Sequence, residues 1–376
     1  MSIRIIHTAD LHFGNDFSFT GENSTIMQEK AFQAFKELLA YCSRSEHRVD
    51  ILLIAGDLFH THNPPSRIKI QVKEALAALV HKGVNLILLP GNHDSYGYKN
   101  SIYKTEEFPG TVIKQNKFDY VTQFDLRGEN VFLYGGVFEP GMGKQRILSG
   151  FKVKKEEGIH IGLLHGTLES KGVNIRERDL PFSVEEFKKT NLNYLALGHF
   201  HSSHILEVDK SHTAAYSGSL YPLKIDEYGE HHALQVDFQM NGEGAIKKVK
   251  FFNIQCILEK IDLSMEKVST QQDLIKKIKK MADKERILTL LLDGVADFSV
   301  NEEEILLQTE SDFFSVRLKN NIQYMDSALI QQIMKEETVR GIYFKKLFQK
   351  YDRSKTAGQK AIIERAIHLG FQKFIK

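Results

Sequence analysis

Two cysteines, Cys42 and Cys256, are all this chain contains, and neither sits in a Cys-x-x-Cys pattern. That excludes a disulfide framework and a thiolate zinc site, and it suits a reducing compartment. Charge of one sign is also scarce: 50 basic residues face 48 acidic ones, a net of +2. Strong global attraction to a polyanion is therefore excluded, and any nucleic-acid binding must come from a local basic surface. No apolar run approaches the roughly 20 residues that span a bilayer. The strand-like Ile3-Arg4-Ile5-Ile6 begins almost at the initiator methionine, where a signal peptide would lie. The expectation is a soluble, cytoplasmic protein with no membrane partner. Repeats and low-complexity tracts are absent. So is a Gly-x4-Gly-Lys-Ser/Thr loop, so any use of ATP must come from a separate polypeptide.

What is present is the balance of an ordinary globular protein, 42% hydrophobic and 26% charged. At 376 residues the chain is too long for one comfortable core, so a large domain with one or two smaller ones is expected. Up to about residue 245, short apolar runs alternate with amphipathic stretches. The runs are Ile3–Ala9, Val49–Ala55, Val84–Pro90, Val131–Val137, Ile159–Leu164 and Leu192–Leu197. Each has the length and the Ile, Leu and Val content of a buried strand. Between the first two, Ile26, Met27, Ala31, Phe35, Leu38, Leu39 and Cys42 fall at helical spacing, with Asn23 or Ser24 as N-cap. After Pro64-Pro65, a second helix is predicted on Ile68, Val72, Ala75, Leu76 and Leu79. The class is α/β with covered sheets.

The turn-rich Asn241-Gly242-Glu243-Gly244 closes this domain, 1–244. Beyond it come strand-like Val249–Ile257, a Lys-rich helix from about Thr270 to Asp283, and strand-like Ile287–Leu292 and Phe313–Leu318. These predict a small α+β domain, 245–325. The remainder, 326–376, reads as helices, and from Arg340 onward it carries ten Lys or Arg against two acids. Such a run is either a solvated helix face or a contact surface.

The chemistry lies where polar residues interrupt the apolar runs. The first run ends in Asp10-Leu11-His12, the second in Gly56-Asp57-Leu58-Phe59-His60 and the third in Gly91-Asn92-His93-Asp94. Two later runs end in His165-Gly166 and Gly198-His199-Phe200-His201. Loops leaving the carboxyl ends of adjacent strands converge, so these ligands should share one site. A nitrogen and oxygen set without thiolate suits manganese, iron or zinc in a catalytic site. One carboxylate can bridge two cations that together activate a water for in-line attack on a phosphate. A lone histidine is usually packed or solvated, and ten of the 16, His7, His47, His62, His81 and His160 among them, are read that way.

These five motifs, spanning residues 10 to 201, resemble those of the calcineurin-like metallophosphoesterases. The resemblance implies a sandwich of two mixed β-sheets flanked by helices, with two divalent metal ions, manganese being the expected one. It implies Asp10, His12, Asp57 and His201 on the first metal, and Asp57, Asn92, His165 and His199 on the second. His93 would face the scissile phosphate, and Asp94 would orient it by accepting its other N–H. Within the superfamily, Gly56–His60 followed by Pro64-Pro65-Ser66 is similar to the SbcD-type exonucleases of double-strand-break repair. So are Tyr216-Ser217-Gly218-Ser219-Leu220-Tyr221-Pro222 and Thr338-Val339-Arg340-Gly341-Ile342. Where those exonucleases carry a Lys-Pro-Gln-like turn, this chain has Ser202-Ser203-His204.

That narrower resemblance implies a DNA exonuclease with endonuclease activity, His60 beside the metals, and a capping domain that helps hold duplex DNA. Its implied partners are DNA, an SbcC-type coiled-coil ABC ATPase and a second copy of the chain. The C-terminal helical segment is the expected ATPase-docking element, through a face bearing Ile363, Ala366, Ile367 and Phe374. Two alternatives stay open: a phosphodiesterase for small substrates such as cyclic nucleotides, and an inactive scaffold that keeps the fold.

Overall fold

The computed structural model describes residues 2–154, 157–170, 172, 174–209, 212–239, 244–249, 258–265, 268–296, 298–324 and 327–374. The chain divides into two compact units, Met1–Ile254 and Gln255–Lys376.

In the first unit β1 (Ile3–Thr8), α1 (Ser24–Ser43), β2 (Ile51–Ala55), α2 (Ser66–His81) and β3 (Asn85–Leu89) form two successive βαβ turns. The three strands are parallel neighbours, with His7 level with Leu53, and Leu53 level with Ile87. A short α3 (Ile102–Thr105) leads to β4 (Thr111–Val112) at the sheet edge. The chain then builds a second sheet from β5 (Asp119–Leu126), β6 (Glu129–Gly136) and β7 (Ile159–His165). The small pair β8 (Thr167–Leu168) and β9 (Pro181–Phe182) precedes α4 (Val184–Thr190) and β10 (Tyr194–Gly198). Next come β11 (His204–Asp209), β12 (His212–Tyr216), β13 (Ala233–Phe238) and β14 (Gly244–Val249). The six-stranded sheets run β14-β13-β1-β2-β3-β4 and β11-β12-β10-β7-β6-β5. β14 begins at Gly244 and pairs with β13, so the first sheet is finished beyond residue 244.

Strand periodicity explains why two sheets form. Alternate residues Ile5, Leu53 and Ile87 of one sheet and Leu133, Ile161 and Ala196 of the other make a single buried core. The residues between them, among them Ile6, Leu52, Ile54 and Leu88, are equally buried on the opposite face of the first sheet. Both faces are thus apolar, which is why these strands read as continuous runs rather than alternating ones. Beneath the second sheet, Phe132, Tyr134 and Leu195 pack with Phe187 of α4. A capping box of Ser183 and Glu186 starts that helix. Each fully buried Leu or Ile contributes about 1.5–3 kcal/mol. His7 lies in the inter-sheet layer with Nδ1 2.8 Å from the Tyr194 hydroxyl, and burial pushes its pKa down to about 3.

The second unit contains β15 (Leu258–Ser264), α5 (Gln271–Lys279), β16 (Asp283–Ala296), α6 (Glu302–Thr309) and β17 (Phe313–Tyr324). All three strands are parallel, so the α+β arrangement read from the order of elements is refined to two βαβ crossovers. Leu274, Ile275, Ile278 and Ile305 cover Leu288, Leu290 and Leu292 on one face. Of the expected strand Val249–Ile257, Val249 ends β14 and residues 250–257 lie outside those described. The unit ends in α7 (Ser327–Lys335), α8 (Val339–Arg353) and α9 (Ala357–Phe374). Ile363 and Ile367, read from sequence as part of a face offered to a partner, pack instead with Ile333 and Phe344. Short helices draw their stability from a shared apolar core, and these three use that face to form one. Thr338 caps α8 by accepting from the Gly341 amide. Among the described residues no helix is long and apolar enough to cross a membrane.

Candidate metal centre

Every motif singled out in the sequence follows or ends a strand, and four of its residues sit in strained backbone. Asp10 (φ 55°), His12 (φ 45°), Asp57 (φ 51°) and His199 (φ 100°) are non-glycine residues in the left-handed region. Such outliers cost roughly 1–3 kcal/mol each and persist where surrounding bonds over-determine them. Those bonds are visible: the amides of Asp10 and His12 donate to the carbonyls of Gly56 and Asp57, 3.0 and 2.9 Å away. The His199 amide meets both Asp10 carboxylate oxygens at 3.1 Å. Gly56 and Gly198 let the layers close, since a Cβ would stand 2.0 Å from His165 Nδ1 at Gly56 and 1.9 Å from the Ala55 carbonyl at Gly198.

The side chains converge. Asp10, Asp57 and His165 bring ligand atoms within 4.8 Å of one another, as do Asp10, His12 and His201, and His12, His60 and His93. Asp57 is the hub, its Oδ2 being 3.5 Å from His12 Nε2 and 3.3 Å from His165 Nε2, while its Oδ1 accepts from the His93 amide at 2.9 Å. Asn92 Oδ1 lies 3.0 Å from His165 Nε2. His165 Nδ1 is 2.9 Å from the Ala55 carbonyl, which leaves Nε2 to face the acids. His60 Nδ1 is 3.3 Å from His12 Nδ1, so the neighbour of His60 is a candidate ligand histidine.

Burial alone would raise the Asp57 pKa, but His165 foremost, with His12 and His93, holds it below the usual carboxylate range. Burial would likewise lower His165, yet Asp57 and Asp10 bring it up to about 10. Burial takes His12 well below an ordinary histidine, although Asp57 pulls the other way. Among the described residues, His12 Nε2 is buried without a hydrogen-bond partner. A buried orphan nitrogen between carboxylates, in a set of imidazole, carboxylate and amide donors, fits a divalent cation.

One consequence is measurable. In the metal-free protein His165 holds a proton at neutral pH, so a cation taking its Nε2 must release that proton. Mn2+ affinity is expected to rise with pH, by about tenfold per unit for one proton released between about pH 6.5 and 8. Calorimetry in two buffers of different ionisation enthalpy checks this. A flat affinity with no proton release would remove His165 from the ligand set.

Asp94 requires a correction. The sequence casts it as the acceptor for the His93 ring, but it is fully buried and accepts from the Phe59 amide at 3.0 Å, the Gly91 amide at 2.7 Å and the Tyr103 hydroxyl at 2.8 Å. The His93 ring instead has Nδ1 3.2 Å from the His60 carbonyl. The carboxylate points inward to the amides of Phe59 and Gly91, so it binds the Asp57 loop to the Asn92 loop. Burial, reinforced by Asp57, pushes its pKa up to about 7. Asp94→Ala is therefore expected to lower folding stability by about 3–5 kcal/mol, because three buried donors lose their acceptor. Urea denaturation measures it. A fully stable variant that lost turnover alone would return Asp94 to the service of His93.

Sequence reading missed several residues that the fold brings to this centre. Asp179, between β8 and β9 in sequence, lies 3.2 Å from His199 Nε2. Glu227 lies 2.5 Å from His201 Nδ1. Tyr221 donates its hydroxyl to the Leu11 carbonyl, and the Ser219 amide donates to the His201 carbonyl at 2.9 Å, so the Tyr216–Pro222 segment braces the loops of His12 and His201. The centre opens into a cleft of about 1030 Å³ whose walls also carry Arg176, Arg178 and Lys224. None of these positions shows periodicity, and only the Tyr216–Pro222 resemblance offered a signal.

Comparison with known proteins agrees with this geometry. The calcineurin-like phosphoesterase family model matches residues 3–203, more than half of the chain. The chain is 28% identical over 235 residues to the uncharacterized metallophosphoesterase YhaO of Bacillus subtilis, covering 61% of this chain and 55% of that protein. It is 25% identical over 287 residues to the SbcD component of the nuclease SbcCD of Escherichia coli K12, covering 67% of this chain and 68% of that one. To the DNA double-strand break repair protein Mre11 of Sulfurisphaera tokodaii it is 25% identical over 310 residues, 77% of this chain and 73% of that one. With two acids, an asparagine and three ligand-spaced histidine loops gathered at one rim of a double sheet, and a family match spanning all of them, the chain belongs to the calcineurin-like phosphoesterase family.

Proposed function

We propose that this phosphoesterase is a metal-dependent DNA nuclease, acting on ends and on structured DNA in double-strand-break repair or recombination. The observation that carries the reading is the extent of the similarity. Alignments of 287 and 310 residues to two proteins named for DNA breakage repair or nuclease action cannot fit within residues 3–203. The longer of them, covering 77% of the chain, must also extend past the first compact unit, Met1–Ile254. The open cleft carries Arg176, Arg178 and Lys224 beside Glu177, Asp179, Asp226 and Glu227, so attraction for a phosphate backbone there would rest on bound cations together with the three basic residues.

In this reading Asp10, His12, Asp57 and His201 hold one cation, and Asp57, Asn92, His165 and His199 hold the second, manganese being the proposed metal. Bound cations would acidify a water and neutralise phosphate oxygens. The chain's own residues do the rest. Asp57 stands between the two ligand groups, and its backbone contact fixes the loop of His93. His93, on the cleft wall, donates to or stabilises the leaving oxygen. His60 sets the ring of His12.

An SbcC-type ATPase is the proposed partner. Val339, Ile342, Ile362 and Leu369 stay exposed on α8 and α9 after Ile367 is buried, and offer it an apolar contact. A second copy would meet the helices flanking the Gly91–Asp94 loop, α2 and α3, of which α2 exposes Ile70.

The test is degradation of end-labelled duplex DNA with Mn2+, beside Asp57→Ala, and with bis(p-nitrophenyl) phosphate assayed in parallel. Shortening by the wild type alone supports the nuclease, and the label reads its polarity. Cleavage of the small diester only, with DNA spared even when the ATPase is added, would favour a small-substrate phosphodiesterase.

A further inference from the structure

Outside the recognised motifs, two carboxylates share one architecture. Asp179 uses Oδ2 to accept from the Arg176 amide at 2.8 Å, and its Oδ1 lies 3.2 Å from His199 Nε2. Glu227 uses Oε2 to accept from the Leu223 amide at 2.7 Å, and its Oε1 lies 2.5 Å from His201 Nδ1. Each acid is fixed by its own turn through one oxygen and reaches a ring nitrogen through the other. Both side chains are largely enclosed, 4% and 12% exposed, so these contacts are screened little by water. The acids come from different segments of the chain, yet they take the two histidines of a single loop.

They also take opposite nitrogens. A neutral imidazole that donates from one nitrogen presents its lone pair at the other. Held at Nε2, His199 is left with Nδ1 to bind a cation. Held at Nδ1, His201 is left with Nε2 to offer to the group it forms with Asp10 and His12. Two residues apart on a loop whose backbone is at φ 100° at His199, the rings are contacted by carboxylates at opposite nitrogens, an arrangement that would favour a different tautomer in each.

We propose that Asp179 and Glu227 are the positioning residues of the metal centre, Asp179 fixing His199 for one cation and Glu227 fixing His201 for the other. The inference rests on the two-metal reading of the site and not on the DNA substrate. Because both acids belong to segments that line the cleft, they also join the cleft walls to the ligands.

The experiment is calorimetric titration of metal-free protein with Mn2+, in the absence of any DNA. Glu227→Gln and Asp179→Asn are each expected to weaken one of two binding events by about 10–100-fold and leave the other as in wild type. A single amide cannot accept from both the backbone N–H and the imidazole on the geometry the carboxylate uses. The decisive step is a double-mutant cycle. Glu227→Gln is expected to add nothing in a His201→Ala background and to keep its full effect in a His199→Ala background, with Asp179→Asn behaving in the mirror sense. Wild-type affinity at both sites overturns the proposal. So does a loss that persists undiminished when the partner histidine is gone, or a loss shared equally by both events together with a lowered unfolding midpoint of the metal-free variants. Wild-type protein that takes up no Mn2+ overturns it at the root. Failure to cut DNA with these titration results intact would count against the nuclease reading alone.

Discussion

Asp57→Ala is expected to reduce hydrolysis of bis(p-nitrophenyl) phosphate by about a thousandfold or more, and to strip the protein of both metals. The reason is its place as hub. Its two oxygens serve His12, His165 and the backbone of His93, drawing together three loops that leave different strands. Removing it takes away the charge that keeps His165 protonated and well oriented without metal, and the only acid shared by both proposed ligand groups. Loss of several kcal/mol of charge stabilisation in the transition state converts to that fold-change at about 1.4 kcal/mol per factor of ten. Turnover with metal content by atomic absorption measures both arms. Retention of two metals and near-normal turnover would show that the cations are bridged by another group. Asp57→Asn separates charge from shape, because its amide keeps one oxygen for the His93 amide while losing the attraction for cations.

The gathering of these side chains was legible in sequence to the extent that each candidate residue is tied to a strand end. Asp10, Asp57, Asn92, His165 and His199 all follow or terminate an apolar run, and parallel strands deliver their carboxyl ends to one rim, so the spacing alone located them together. Asp179 and Glu227 were not legible, because they arrive through loops whose only regularity is the tertiary contact they make. Asp94 shows a different failure. Its position beside His93 suggested a pair, but a short side chain in a tight turn sees its own backbone first, and the amides of Gly91 and Phe59 captured it. The two-sheet core could be read from strand composition. The extra strand β14 could not, since it lies past a Gly-rich stretch whose composition reads as a boundary and is recruited by pairing with β13. Periodicity placed Ile363 and Ile367 on one face of α9, but it could not say whether that face meets a partner or its own neighbours.

His93→Ala is expected to leave metal binding intact and to lower turnover of DNA by about 10²–10⁴-fold, the usual contribution of a positioned acid or base. The residue is exposed on the cleft wall, anchored through its amide to Asp57 and through Nδ1 to the His60 carbonyl. Its ring stands 4.7 Å from that of His12, centroid to centroid, which places it beside the proposed ligands without being one of the set assigned to either metal. Two roles predict different patterns. A proton donor to the leaving oxygen matters for an alkoxide such as a DNA 3′ or 5′ oxygen, and little for p-nitrophenolate, which departs unprotonated. The variant should then lose far more on DNA than on bis(p-nitrophenyl) phosphate. A group that stabilises charge on the phosphoryl oxygens would cost both substrates alike. Comparing the two substrates with one variant therefore distinguishes the roles, and unchanged turnover on both would remove His93 from the chemistry. The His60 carbonyl, 3.2 Å from Nδ1, fixes the direction of Nε2. Donation from Nε2 to a leaving oxygen then requires the imidazolium with both nitrogens protonated, so the first pattern also predicts that turnover of DNA falls as pH rises through the titration of that group.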